Sequence, residues 1–139
     1  MNQIRLYNNY IFCFFSRNRK NKFSSLNCAF NRGDSDEIVK KNRNFTSNYL
    51  NKKKIILTNQ VHSNVVSYID KDISKDIYSD AMITNRKDIL LGILTADCAP
   101  IIVLGKKYFG IIHAGWKGLI NGIIENTIMK FYSLGETEN

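Results

Sequence analysis

Three side chains in this sequence combine residue types and settings suited to chemistry: His62, Cys98 and His113. His62 lies in Asn59-Gln60-Val61-His62-Ser63, where polar side chains interrupt a strand-like pattern. Cys98 lies in Thr95-Ala96-Asp97-Cys98-Ala99-Pro100, between two apolar runs. His113 lies in His113-Ala114-Gly115-Trp116-Lys117-Gly118, after an apolar run and ahead of a helix. Cys98 opens the first arm of an expected hairpin and His113 closes the second, with a Gly105-Lys106 turn near the midpoint. Residues equidistant from such a turn face each other, with Cβ atoms about 5 Å apart. That separation suits a shared metal ion or a Cys–His ion pair. A thiolate with two imidazoles suits zinc or copper. Three protein ligands would leave one position open, where bound water ionises near a pKa of about 7. Asp97 is placed to accept a hydrogen bond beside the ligands or to act as a general base. Gly115 and Gly118 would let backbone N–H groups approach a phosphate at a helix start.

Each residue also has an ordinary reading. A cysteine among apolar strands is usually a packed thiol. A solitary histidine is usually a hydrogen-bonded structural residue. Trp116 is ordinarily packing, and Asp97 could simply cap the chain reversal at Pro100. The hairpin spacing is what lifts Cys98 and His113 above that background.

Several elements must position these groups. Residues 10–15 read as a strand from their aromatic and β-branched content, with the aromatics of 7–15 expected in the core. Residues 16–33 read as an extended loop. Asp34-Ser35-Asp36-Glu37 has a capping-box form, so a helix is expected to about Leu50 with Ile38, Phe45 and Tyr49 on one face. Lys52-Lys53-Lys54 reads as a charged turn. Strands are expected at 55–57, 65–69, 81–84 and 90–94. The polar loop 70–80 would be docked by Ile73 and Ile77. Residues 100–104 and 108–112 form the hairpin arms, apolar enough for strands buried on both faces. One helix is expected from about Lys117 to Leu134, its stripe being Ile120, Ile123, Ile124, Ile128 and Phe131, with Gly135 as its stop.

Composition narrows the class. The chain has 139 residues, 44% hydrophobic content and a net charge of +8. That fits one domain with a real core, and 1–139 is read as a single domain. No apolar run of about 18 residues suggests a membrane span. Tyr10–Phe15 is too short for a secretion signal, and no small-residue cleavage site follows it. Three cysteines without CxxC spacing fit a reducing, cytoplasmic setting. The positive charge follows heavy use of Lys, Asn and Ile, as in an AT-rich coding bias. No aromatic-interleaved basic face marks a nucleic-acid binder.

The ordered motifs Gln60-Val61-His62-Ser63, Asp80-Ala81-Met82-Ile83-Thr84, Thr95-Ala96-Asp97-Cys98-Ala99-Pro100-Ile101 and His113-Ala114-Gly115-Trp116-Lys117-Gly118 resemble the YfiH-type laccase-domain family. Weaker matches are Ser25-Leu26-Asn27, Gly33-Asp34 and Asn42-Arg43, and the resemblance spans about residues 12 to 131. It implies a layered α/β/β/α fold of the mixed α/β (α+β) class, shared with a toxin deamidase domain that uses a Cys–His pair. It implies metal ligands at His62, Cys98 and His113, with Zn2+ as cofactor and Cu2+ as the alternative. It implies catalytic roles at Cys98, His113 and Asp97. Substrate contacts are implied at Arg17, Asn27, Gln60, Trp116 and Lys117. The implied activities are phosphorolysis of adenosine, guanosine, inosine or methylthioadenosine, and deamination of adenosine. The partners are then a purine nucleoside and phosphate, with no specific nucleic acid and no membrane.

The sequence departs from the family in three places. Lys117 stands where arginine is usual, giving a point charge in place of a bidentate fork. The loop holding Arg17 lacks the usual glycines. The chain also ends near the middle of the usual family length, so the fold is expected to be incomplete at its C-terminus. A complementing C-terminal fragment or self-association would then cover exposed sheet edges. The alternative functions are a metal-free Cys–His deamidase-like enzyme, with Cys98 as nucleophile, and an interaction module with impaired catalysis.

Overall fold

The computed structural model describes residues 3–7, 9–16, 26–50, 54–73 and 75–137. They fall into two compact units, Met1–Lys53 and Lys54–Asn139.

In the first unit, β1 (Gln3–Tyr7) and β2 (Tyr10–Phe14) form an antiparallel ribbon, with Tyr7 paired to Tyr10. The strand expected over 10–15 is present, and β1 was not foreseen. Tyr7, Ile11 and Phe14 are exposed. The expected aromatic core over 7–15 is corrected accordingly, since a two-stranded ribbon cannot bury both its faces by itself.

Helix α1 (Asp36–Tyr49) starts one residue later than its acidic pattern suggested. Ser35 is the cap, its hydroxyl accepting from the Ile38 N–H at 3.5 Å. Asp34 instead accepts from Asn27 Nδ2 at 2.9 Å. The expected face of Ile38, Phe45 and Tyr49 is also corrected. The buried face is Val39, Asn42 and Thr46, while Phe45 and Tyr49 are exposed. Hydrogen bonds decide the docking face: Asn42 donates to the Asn27 carbonyl, and Arg43 Nε to that of Cys28, both at 2.8 Å. The Arg43 guanidinium also lies 4.2 Å from the Phe30 ring centre.

The second unit is layered. Strands β3 (Lys54–Leu57) and β6 (Ile89–Gly92) pair in parallel. Of the expected charged turn, Lys54 opens β3, and Lys52 and Lys53 lie outside the described residues. A separate four-stranded sheet runs β4–β5–β8–β7, from β4 (Val66–Tyr68), β5 (Ala81–Thr84), β7 (Ala99–Leu104) and β8 (Phe109–Ala114). Side-chain alternation gives this sheet two apolar faces. Met82 on one face joins Ile56, Ile69 and Ile89, with Ile73, Ile77 and Ile111 packed against them. Ile73 and Ile77 thus dock the 70–80 loop as expected. Ala81, Ile112 and Ala114 on the other face meet Ile123. Fully burying each such isoleucine contributes roughly 1.5–3 kcal/mol.

The expected helix over 117–134 is two helices, α2 (Trp116–Ile120) and α3 (Ile123–Ser133). Gly122 breaks the run at φ +80°, a conformation that costs glycine little. Ile120, expected on the buried stripe, is 77% exposed as a result. Gly135 ends α3 as expected. Strand β7 is only partly buried, with Ala99 and Pro100 exposed, so the expectation of burial on both faces fails for that arm. At the hairpin turn, the Glu136 carboxylate accepts from the backbone N–H groups of Lys106, Lys107 and Tyr108 at 3.0, 2.6 and 2.8 Å. No described helix is long and apolar enough to cross a membrane.

Candidate metal centre

The hairpin register differs from the spacing argument. Pro100 pairs with His113 and Ala99 with Ala114, so Cys98 lies past the strand end, alongside Gly115. The turn is centred one residue later than expected, with the Gly105 N–H donating to the Tyr108 carbonyl at 2.8 Å. Cys98 and His113 still share one end of the hairpin. His62 arrives on the loop after β3. Thr58 Oγ1 donates to the Ser79 carbonyl at 2.8 Å, and Asn59 bridges to Tyr78, which leads that loop onto Asp80.

One potential ligand atom from each of His62, Cys98 and His113 lies within 4.8 Å of the others. Cys98 Sγ is 3.7 Å from His62 Nε2. Zinc–sulfur and zinc–nitrogen bonds at a tetrahedral angle would place such atoms about 3.6 Å apart. The two imidazoles meet edge to face, with centres 4.8 Å apart. Close packing here requires glycine at 115: a Cβ there would fall 2.6 Å from His62 Cδ2 and 3.2 Å from Cys98 Sγ. At Gly118 a Cβ would fall 2.9 Å from the Ser63 carbonyl oxygen. The two glycines therefore make room for protein atoms, a use different from the phosphate approach expected of them. The donor set and its spacing fit a metal ion.

Asp80 underlies both histidines. It is fully buried. Its Oδ1 accepts from the His62 N–H at 3.0 Å and faces His113 Nδ1 at 2.8 Å. Its Oδ2 accepts from the N–H groups of Val61 and Ser63 at 3.2 and 2.7 Å and from the Ser63 hydroxyl at 2.7 Å. Burial pushes this carboxyl upward, but hydrogen bonds from His113, Ser63 and Val61 outweigh it and hold it below the ordinary value. An ionised carboxylate only accepts, so a proton on His113 Nδ1 would satisfy this contact and leave Nε2 on the side of Cys98 and His62. The Asp80 carbonyl also accepts from the His113 N–H at 2.7 Å. Asp80 opens the motif Asp80-Ala81-Met82-Ile83-Thr84, and no role for it follows from spacing. The available signal was an acid directly ahead of the strand-like run Ala81-Met82-Ile83.

The Cys98 thiol is pushed up by burial, by Asp97, to whose Oδ1 it donates at 3.7 Å, and by Asp80. Each of these three causes disfavours the thiolate, whereas a bound cation would favour it. Asp97 is exposed beside the thiol. Trp116 is 66% exposed, and Lys117 Nζ lies 5.6 Å from its ring centre. The Gln60 amide bonds both backbone groups of Leu94, donating at 2.7 Å and accepting at 2.8 Å. That bidentate pair ties the His62 loop to the segment leading into Cys98. Asn27 belongs to the first unit, where its side chain bonds Ala29, Arg32 and Asp34. Arg17 lies outside the described residues.

Known proteins resemble this chain in sequence and in fold. A purine nucleoside phosphorylase of Aquifex aeolicus is 46% identical over 91 residues, covering 65% of this chain and 44% of the relative. One of Corynebacterium glutamicum is 35% identical over 121 residues, covering 81% and 49%. The crystal structure of Neisseria meningitidis protein NMB0706 superposes with a TM-score of 0.76 at 28% identity, covering 85% of this chain and 50% of that one. The chain thus spans about half the length of the relatives it matches. The family model described as multi-copper polyphenol oxidoreductase laccase matches residues 12–139, and the chain belongs to that family.

Proposed function

We propose that this chain carries the metal centre of a zinc-dependent purine nucleoside phosphorylase. The observation that supports this is the convergence of His62, Cys98 and His113 donor atoms on one point above a buried carboxylate. Relatives named purine nucleoside phosphorylase supply the substrate class. Zinc bound there would supply a Lewis acid and activate a water molecule at neutral pH. Zinc is the ion proposed because three nitrogen and sulfur ligands with an open fourth position are the pattern of catalytic zinc sites, and copper, which also takes two imidazoles with a thiolate, is the alternative.

The chain's own groups divide the remaining tasks. Asp97 stands at the exposed rim, where its carboxylate can hold or accept a proton. The Trp116 ring offers a face for a purine, and Lys117 offers a charge for phosphate. Phosphorolysis of adenosine, guanosine, inosine or methylthioadenosine joins phosphate to C1′ of the sugar and releases the base. Adenosine deamination would use the same centre, with water added at C6. The test is zinc content by elemental analysis together with product analysis. Adenosine with phosphate is expected to give adenine and ribose 1-phosphate, and inosine where deamination also runs. A folded chain with neither metal nor turnover overturns the reading.

A further inference from the structure

We propose that Asp80 is a positioning residue that builds the metal centre before any ion arrives, setting His62 through its backbone and His113 through its tautomer. The inference rests on the metal-centre reading for its consequence, but its geometry stands apart from any bound ion.

The His62 half of the argument is conformational. His62 has φ +58°, in the left-handed region that few non-glycine residues occupy and that costs energy to hold. What holds it there is visible. Three successive N–H groups, from Val61, His62 and Ser63, converge on one carboxylate. Such a concave run of N–H groups selects an anion. The Ser63 hydroxyl adds a fourth donor. Without the negative charge these donors would face one another across a dry site, and the left-handed turn would lose its reason to persist.

The His113 half is a matter of which nitrogen holds the proton. Nδ1 lies 2.8 Å from Asp80 Oδ1, so the proton stays on Nδ1 and the Nε2 lone pair is available. A histidine ligand generally needs such an outer partner to fix its ring and raise its basicity. Here one carboxylate serves both imidazoles by two different routes. Both oxygens are committed, so asparagine cannot substitute. Its amide nitrogen would meet either the His62 and His113 donors or the Val61 and Ser63 donors.

Two measurements test this. In chelator-treated, 15N-labelled wild-type chain, with pH raised until the imidazole 15N shifts stop changing, long-range 1H–15N correlations are expected to show His113 as the Nδ1–H tautomer. His113 in the Nε2–H form, or as a mixture, overturns the assignment whatever the chain does with metal. Asp80→Asn is then titrated with Zn2+ against a competing chelator and compared with wild type, each value referred to the folded fraction. The expected outcome is a roughly 10- to 100-fold loss of zinc affinity. A merely structural role would lower stability and leave the affinity of the folded fraction intact, and that result also overturns the proposal. Should the variant not fold, the wild-type tautomer decides. A wild-type chain that takes up no zinc counts against the proposed function alone.

Discussion

A carboxylate ties each end of the β7–β8 hairpin. At the turn, Glu136 accepts three backbone N–H groups from Lys106, Lys107 and Tyr108. At the strand ends, Asp80 collects three consecutive backbone N–H groups, a hydroxyl and an imidazole nitrogen. Both carboxyls are pushed up by burial and held below their ordinary values by the bonds they accept. The physics is shared, and the consequences differ. The Glu136 bonds end on groups that have no further partner in a reaction. The Asp80 bonds end on groups whose other sides face a candidate ligand. A hydrogen-bonded carboxylate is therefore functional here through what lies behind its donors.

The sharpest way to separate the two ends is to remove a ligand. Cys98→Ala deletes the soft donor and leaves the hairpin and the Asp80 cluster untouched. Zinc affinity is expected to fall by more than the roughly 100-fold that limits loss of an outer partner, with thermal stability of the metal-free chain unchanged. Competition titration and thermal melting read the two quantities separately. Equal zinc affinity in this variant would place the ion elsewhere.

A gentler intervention keeps every ligand and moves one. Gly115→Ala adds a methyl 2.6 Å from His62 Cδ2. The backbone at 115 has φ −77° and ψ 158°, which alanine adopts without strain, so the effect is steric. His62 is exposed and can swing away. Zinc affinity is expected to drop by roughly 10- to 100-fold, comparable to losing an outer partner. Measured stability of the metal-free chain should change by less than about 1 kcal/mol. Unchanged affinity would show that His62 does not need the position it occupies.

The sequence made some of this legible and hid the rest for identifiable reasons. Strand pairing within the hairpin followed from two apolar arms around Gly105-Lys106-Lys107, but the register did not. A turn shifted by one residue moves Cys98 from opposite His113 to alongside Gly115. The three donor atoms still lie within 4.8 Å of one another, because side-chain atoms at one end of a hairpin can meet without being a backbone pair. The α1 face was misread because apolar residues alone were counted, while Asn42 and Arg43 dock that helix by bonds to the 26–34 loop. Gly122 was visible inside the helical pattern, and its left-handed turn split a helix that a stripe of isoleucines seemed to unite. Asp80 was hidden for a deeper reason. Its partners lie at 61–63 and at 113, so no local spacing reports the cluster.

The smallest expected effect on zinc affinity belongs to the far end of the hairpin. Glu136→Gln keeps the shape but sets an amide N–H2 against a backbone N–H donor. At neutral pH this is expected to cost about 2 kcal/mol of stability with no change in zinc affinity. The pH dependence gives the sign. The folded-state value of Glu136 lies below its ordinary 4.5, so the ionised form stabilises the fold above that ordinary value. The contribution is lost as pH falls through the lower folded value. The stability gap between wild type and Glu136→Gln should therefore be full above about pH 5 and close under more acid conditions. Asp80 titrates in both proteins, so the difference between their denaturation curves isolates Glu136. A gap that persists unchanged into strong acid would mean that the ionised carboxylate is not what holds the turn. A loss of zinc affinity in Glu136→Gln would erase the distinction between the two ends.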